Sequence, residues 1–478
     1  MLRSFLLLVV SSWLTLVLSG CSGFVAGDRG GPPSPLPASY SQPTVGGGLQ
    51  PEQLWWQRFA DPRLDTLMEE LFAGNLDLVA GIARLEQLEA LARQSGSALL
   101  PNLSLEGSVG RARSQVLGRS VTADSYQLSP AASFEVDFWG KNRQKTKAAD
   151  RDVVAARAEL ESLCLSLSAQ LADLYFLRRE QYQQLQLQRE NQALLRQLLQ
   201  QRERRYQRGL SDSSFLYQAQ QTLAGVEAQI PLLEQGVATA TRGMALLLGR
   251  TPAGESETLT PLPPLVAEFP AGLPSQLVQN RPDIIAARER LLAADARVAA
   301  AIADRFPSFN LMAAGGGASS ELATLLDSGQ LFWSLLLKAT VPLFDGGKRR
   351  AEVERQKAVV KEKLALYQQS LLTAFNEVDE ALHANASAET RVAAFAAAAT
   401  AQEATLRLAV SRYAQGGIDS PALLQARLQK NEAQSALLTA LRQAISNRIG
   451  LARVLGGTWM TTRLDLLRAD VKKEGSSS

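Results

Sequence analysis

The chain has almost no histidine or cysteine: its 478 residues include one His and two Cys. Zinc, iron–sulfur and imidazole chemistry need several such side chains at one point, so most sites of those classes are excluded. Two Cys make at most one disulfide. Charge of one sign is missing as well, since 50 Lys and Arg stand against 47 Asp and Glu, a net of +3. A dedicated nucleic-acid binder carries a strongly basic face, so nucleic acid is not an expected partner. Aromatics are only 6 %. After residue 20 no run of 18 apolar residues occurs, so no transmembrane helix is expected. What is plentiful is Leu, Ala, Gln, Arg and Glu, the composition of long helices. With so few catalytic residue types the sequence points to structure, binding or transport. No enzyme activity and no cofactor are expected.

The N-terminus reads as an address. Arg3 is a short positive segment, residues 5–18 are apolar, and Leu18-Ser19-Gly20-Cys21 brings small residues into a cysteine. That order resembles the bacterial lipobox. The resemblance implies a signal peptide over residues 1–20 and a diacylglycerol on the thiol of Cys21. Ser22 follows where an inner-membrane lipoprotein of enterobacteria would have Asp, which implies the outer membrane. Cys164 is then left without a partner in an apolar helical stretch, and is expected to be a small buried hydrophobe. Residues 22 to about 50 are rich in Gly, Pro and Ser and read as a tether without a core.

The middle of the chain is written twice. Asn75-Leu76-Asp77-Leu78 has a counterpart in Arg281-Pro282-Asp283-Ile284, and Leu100-Pro101-Asn102-Leu103 in Phe306-Pro307-Ser308-Phe309. Phe138-Trp139-Gly140-Lys141 matches Phe344-Asp345-Gly346-Gly347-Lys348. Tyr206-Gln207-Arg208-Gly209 matches Tyr413-Ala414-Gln415-Gly416, and Asp212 matches Asp419. The offset is 206 through Phe138 and 207 from Tyr206 onward, so one extra Gly accounts for the change. The expected domains are a signal peptide (1–20), an anchored N-terminal tether and equatorial segment (21–61), a first repeat (62–249), a linker (250–281), a second repeat (282–456) and a tail (457–478).

Within each repeat the period changes from helix to strand and back. Leucines at helical spacing run from Leu67 to about residue 98, which predicts one continuous helix. Strict alternation follows. Leu103, Leu105 and Val109 oppose Asn102, Ser104, Glu106 and Ser108; Tyr126, Leu128, Phe134 and Val136 oppose Gln127, Ser129, Glu135 and Asp137. In the second copy Trp333, Leu335 and Leu337 oppose Ser334, Lys338 and Thr340. This predicts two strands of about ten residues per repeat, long enough to cross a bilayer at a tilt. Glu106, Glu135, Asp137 and Lys338 would then face a watery lumen.

A very long helix follows each pair of strands. Residues 141–208 contain neither Pro nor Gly, enough for about 100 Å of helix at 1.5 Å per residue. Leu160, Leu163, Leu167, Leu171 and Leu174 form a heptad-like stripe. Gly209 and Gly416 stand where a left-handed residue ends a helix, and Asp212 and Asp419 supply caps for the returning helices. The fold class is therefore mixed and mainly α, with four strands per chain. Four strands cannot close a barrel in lipid, so an oligomer is required: two copies would give eight strands, three would give twelve.

These features together resemble the outer-membrane factors, the TolC-like efflux channels, in their lipoprotein (NodT/OprM-like) branch. The resemblance rests on the lipobox, the doubled strand–strand–long-helix unit, the two Tyr-x-x-Gly tips, Arg281-Pro282-Asp283 and Trp55-Trp56…Phe59-x-Asp61-Pro62. It runs over nearly the whole chain. It implies a homotrimer with a 12-stranded β-barrel in the outer membrane and a coiled-coil helical barrel in the periplasm. It also implies exit-duct duty for a tripartite efflux or export system, with a periplasmic adaptor and an inner-membrane transporter as partners. Tip docking and gating would fall to Tyr206, Gly209, Asp212 and Gln218 and to Tyr413, Gly416, Asp419 and Gln425. In the family the second tip often carries an Asp constriction; here Gln425 stands there and Gln218 in the first copy, so a gate would be held by neutral hydrogen bonds. A competing class is a lipid-anchored coiled-coil scaffold or adaptor without a pore, which explains the helices but not the four alternating segments. Gly346-Gly347-Lys348 lacks the flanking residues of a phosphate loop, and His383 is expected on a helix face, with no catalytic partners visible in sequence. Arg202, Arg204 and Arg205 are expected to be solvated near the tip.

Overall fold

The structure is a computed structural model in which residues 37, 39–41, 54–116, 119–252, 260–266 and 281–456 are described. Cys21, the rest of the expected signal peptide, most of the tether and the tail lie outside the described residues.

A 3₁₀ turn, Trp55–Phe59, precedes helix α1, Pro62–Gly74. Asp61 starts α1: its carboxylate accepts from the N–H groups of Arg63 and Leu64 at 3.1 and 3.3 Å, with Pro62 in the first turn. The single helix expected to residue 98 is in fact two. It breaks at Asn75, and α2, Leu76–Ser97, begins anew because Asn75 Oδ1 accepts from Leu78 N–H at 2.9 Å. Strands β1 (Asn102–Val116) and β2 (Arg119–Val136) lead to helix α3 (Lys141–Gln207) and its return α4 (Ser213–Leu247). The second copy gives α5 (Pro282–Ala303), β3 (Ser308–Ser319), β4 (Leu331–Thr340), α6 (Lys348–Ala414) and α7 (Ser420–Leu455). No described helix is long and apolar enough to cross a membrane.

The repeat is exact in length where it matters. α2 and α5 are each 22 residues, and α3 and α6 are each 67. The inserted glycine is visible in the backbone: Gly140 turns one corner at φ +77°, while Gly346 and Gly347 turn the other at +63° and +87°. Asn75 and Arg281 occupy the same repeat position and do the same work. Asn75 Nδ2 donates to the Leu247 carbonyl at 2.7 Å, and Arg281 Nη1 donates to that of Val454 at 3.1 Å. Each thus satisfies an orphan carbonyl in the last turn of a returning helix. Gly249 must come close in the same place, since a Cβ there would stand 2.0 Å from the Gly74 oxygen.

The strands form one antiparallel sheet in the order β1-β2-β3-β4, leaving β1 and β4 as edges within the chain. β1 and β2 are longer than expected, at 15 and 18 residues, because the ladder continues past the apolar stretch through Arg111 opposite Asp124 and Arg113 opposite Thr122. Directly paired residues share a face, and the register sorts the side chains. One face carries Leu103, Leu105, Val109, Leu128, Phe134, Leu311, Trp333, Leu335 and Leu337. The other carries Ser104, Glu106, Gln127, Ser129, Ser133, Glu135, Asn310, Ser334 and Lys338, interrupted by the pair Met312 and Leu336 and by Phe332. The apolar face is bare: Leu103, Val109 and Trp333 are 79 %, 77 % and 83 % exposed. At Gly316 a Cβ would lie 2.1 Å from the Leu128 oxygen, so only Gly lets β2 and β3 pair there.

The chain divides into two compact units. The first comprises Glu86–Ala156 and Ala287–Gln368 and contains the sheet. Its helices are joined by ion pairs of Arg151 with Glu289 and of Arg297 with Asp152. The second comprises the described parts of Pro32–Leu85, Arg157–Ala286 and Gln369–Ser478. It holds an aromatic core in which Trp55, Trp56, Phe59, Phe72 and Phe176 pack ring to ring. Cys164 is fully buried there, and burial pushes its thiol up to about 12. It is the inert hydrophobe the sequence predicts.

Neighbouring residues of β4 test the sorting. Ser334→Arg on the polar face should assemble nearly as wild type. Leu335→Arg on the apolar face should lose folded, heat-modifiable oligomer, because a cation at lipid midplane costs about 2–4 kcal/mol. Equal losses in membrane fractions run unboiled on SDS gels would contradict a lipid-facing sheet.

Candidate functional site: the polar sheet face and the helix tips

The polar face brings Glu135, Asn310 and Lys338 into one cross-strand row, since Glu135 pairs with Asn310 and Asn310 with Lys338. Glu106 sits on the same face opposite Ser129. Glu135 is not a bare charge: Lys141 Nζ lies 2.6 Å from its carboxylate. Asp137 lies past the end of β2. Its carboxylate accepts from the N–H groups of Asn142 and Arg143 at 3.0 and 2.8 Å, so it caps α3. In the second copy Asp345 accepts from Gly347 and Arg349, and these N–H groups hold its carboxyl below the usual range. Of the three acidic groups expected on the polar face, one is thus a helix cap and one an ion pair.

At the tips the local chemistry is as read. Gly209 and Gly416 adopt φ +67° and +73°, with nothing within 4 Å of where a Cβ would stand. Asp212 accepts from Ser214 N–H at 2.7 Å, which holds its carboxyl below the usual range, and Asp419 accepts from Ala422 N–H at 3.1 Å. Tyr206 and Tyr413 are half exposed. The tip arginines are less free than expected. Arg202 lies over the Phe215 ring at 5.1 Å, and Arg205 pairs with Asp419 at 3.5 Å. Gln218 and Gln425 line one cavity of about 540 Å³ beneath the tips, together with Arg202, Phe215 and Glu432.

Helix α3 is held on two sides by different chemistry. Toward α4 the ties are charged: Arg189 to Glu234 and Arg196 to Glu227, both 2.8 Å. Toward α7 a neutral ladder, Gln184 with Ser435, Asn191 with Asn431 and Gln201 with Ser420 at 2.6–2.8 Å, runs between two charged ties, Arg442 with Asp173 at 2.9 Å farther from the tip and Arg205 with Asp419 at the tip.

One cluster escaped the sequence altogether. Tyr40 stacks on Phe375 of α6 at 5.6 Å, and burial pushes its phenol up to about 12. Beside it Ser41 donates both its N–H and its Oγ–H to Asp379, at 2.8 and 2.6 Å, and lies 2.8 Å from His383 Nε2. Serine, histidine and aspartate therefore meet. The protons run the wrong way for a nucleophile. A hydroxyl has one proton, and here the carboxylate takes it, so Nε2 must donate to Oγ and cannot accept from it. A catalytic serine needs the reverse. Only the Asp-x-x-x-His spacing of Asp379 and His383 on one helix face was available as a signal, and Ser41 is 338 residues from Asp379.

These features have close parallels. A profile for outer membrane efflux proteins matches residues 67–250 and 273–457. The chain is 30 % identical to the probable efflux pump outer membrane protein SepC of Pseudomonas putida over 463 residues, covering 93 % of this chain and 96 % of that protein. It is 28 % identical to the cation efflux system protein CusC of Escherichia coli over 453 residues, covering 93 % and 97 %. Among solved structures it resembles the outer-membrane channel OprN with a TM-score of 0.80 at 28 % identity, covering 89 % of this chain and 98 % of that one. The open-state MtrE outer membrane channel of Neisseria gonorrhoeae gives 0.76 at 27 % identity, covering 89 % and 96 %. The pore-free scaffold reading does not account for these likenesses. The chain belongs to the outer membrane efflux protein family and is an outer-membrane channel of an efflux system.

Proposed function

We propose that three copies close a 12-stranded barrel, that the helices project into the periplasm, and that the two tips dock a periplasmic adaptor serving an inner-membrane transporter. The sorted sheet with two open edges carries this reading. Its apolar face suits lipid, its polar face suits water, and edges in hydrocarbon demand a partner strand. Twelve strands leave an open lumen, whereas eight are filled by side chains. Glu106, Glu135 and Lys338 line that lumen, and the pairing of Glu135 with Lys141 leaves little net charge to select ions. Gln218 and Gln425 form the constriction below the tips, where neutral hydrogen bonds contribute about 0.5–1.5 kcal/mol each and do not titrate. Cys21 carries the lipid anchor, and Tyr40 and Ser41 pin the tether to α6. Ser41 has no hydrolytic role.

Three experiments test this. A β-branched side chain resists the positive φ of Gly416, so Gly416→Val should leave oligomer in the outer membrane at normal levels. It should abolish both adaptor crosslinking and efflux; efflux at the wild-type rate would remove the tips from docking.

Cys21→Ser should abolish palmitate labelling yet leave assembled oligomer, because a barrel holds the protein without its acyl chains. An unmodified Cys21 in the mature wild type, read by mass spectrometry, would end the lipid-anchor assignment.

The hydrogen bonds from Ser41 hold the Asp379 carboxyl below its ordinary value of 3.8. A depressed carboxyl stabilises the docked tether above that value, and the contribution is lost as pH falls through the folded value. Hydrogen exchange of the Ser41 amide, corrected for intrinsic rate, should show protection from pH 8 to 5 that declines only once the pH falls below 3.8 and through the folded value. Asp379→Asn should be less protected throughout, and a fluorophosphonate probe should leave Ser41 unlabelled. Protection unchanged in Asp379→Asn would dissolve the pin.

A further inference from the structure

Both strand-to-helix corners carry the same three layers in the same order. At the first, Phe138 and Trp139 precede Gly140 and then Lys141, Arg143, Lys145 and Lys147. At the second, Leu343 and Phe344 precede Gly346 and Gly347 and then Lys348, Arg349 and Arg350. All of these residues belong to the unit that contains the sheet.

The fold of one chain explains only part of each layer. Leu343 and Phe344 are 93 % and 94 % exposed, and Phe138 is 52 % exposed. Exposed large apolar side chains that cluster mark a surface that something covers. Four of the cations are already paired within the chain, Lys141 with Glu135, Arg143 with Asp137, Arg349 with Asp304 and Asp345, and Arg350 with Glu354, and the others are left over. Neither α3 nor α6 has an acidic residue in its first turn, and positive charge at a helix N-terminus opposes the helix dipole. The capping is done by Asp137 and Asp345 instead. Lys145, Lys147 and Lys348 are exposed and carry no ion pair among the described residues.

The cover has to fit both corners. The second follows an edge strand, where a neighbouring copy could sit. The first follows β2, which already has β1 and β3 on its two sides, and it shows the same layering. Phe138 also lies against Phe309, a residue of the apolar face, with ring centroids 6.4 Å apart. The apolar face therefore runs on into the aromatic layer and then into cations. Apolar band, aromatic belt and Lys/Arg cluster is the layering of a membrane interface facing anionic headgroups.

We propose that the two corners form a collar that binds anionic glycerophospholipid of the leaflet facing the helices, the aromatic residues seating the acyl–glycerol region and the cations taking the headgroup phosphate. This rests on the barrel reading above, and adds which lipid, which leaflet and which residues.

The test uses the full-length assembled oligomer in nanodiscs of phosphatidylcholine alone or with 30 % phosphatidylglycerol. Native mass spectrometry should find phosphatidylglycerol retained several-fold over phosphatidylcholine, and its presence should raise the temperature at which the oligomer dissociates. The variant Lys145→Gln/Lys147→Gln/Lys348→Gln should assemble as wild type, lose both effects and behave as if the lipid were neutral. Equal retention of the two lipids by an assembled wild type would overturn the collar and leave the barrel standing, as would an unchanged triple variant. Failure to assemble in either disc would overturn the barrel reading and the collar with it. A photo-crosslinker replacing Phe344 should capture lipid; capture of a second copy of the chain alone would assign this surface to the subunit interface and overturn the collar.

Discussion

In hydrocarbon every backbone N–H and C=O needs a partner, and one chain offers only four strands to supply them. The rest of the molecule answers to that constraint. The sheet's register separates an apolar face from a polar one, but its first and last strands stay open, so the channel is a property of an assembly. Gly316 shows how tightly the pairing is specified, because β2 and β3 meet there with no room for a methyl group. The helices answer differently. Their backbone is satisfied internally, and they need only a neighbour for their leucine and alanine stripes.

Duplication supplies much of the architecture by solving each local problem twice. The returning helices α4 and α7 both end on a glycine at positive φ, Gly249 and Gly456, and both have a carbonyl of the last turn covered from the start of the facing helix. The residues chosen differ. Asn75 is short, uncharged and also caps α2, whereas Arg281 is longer and is paired in addition with Asp283 and Glu377. The geometry is held in common and the chemistry is not, as expected when a hydrogen-bonding requirement outlasts the side chain that first met it.

Much of this was legible from sequence because it depends on near neighbours. The repeat offset, the alternating strands, the caps of Asp212 and Asp419 and the left-handed glycines at 209 and 416 follow from period and residue type alone. The failures share a cause. The break at Asn75 interrupts a helical pattern that carries on through it, and the decisive partner, Leu247, is 172 residues away. The extra length of β1 and β2 is carried by polar residues whose pairing no hydrophobic pattern reports. Asp137 reads as the next member of an alternating strand, yet it leaves the strand to cap α3. Ser41, Asp379 and His383 meet only because the tether crosses α6.

The two sides of α3 bear on how the tips respond to their surroundings. Exposed ion pairs such as Arg189 with Glu234 are screened by salt and contribute little each, roughly 0–1 kcal/mol. The amide and hydroxyl contacts toward α7 are indifferent to salt and to pH between 5 and 8, and Asn431 is almost fully buried. A buried amide left without its partner costs about 1–3 kcal/mol. Separating α7 from α3 therefore requires that Asn431 find a new partner or water. The charged seam toward α4 can loosen with ionic strength while the neutral seam holds. Tipward of Gln184, the charged tie toward α7 among the described residues is the last one, Arg205 with Asp419, and it lies at the outermost turn, half exposed on both partners. A partner bearing charge could compete for that pair first and reach the neutral ladder only afterwards, so the order in which the seam opens is set by its chemistry, from the tip inward.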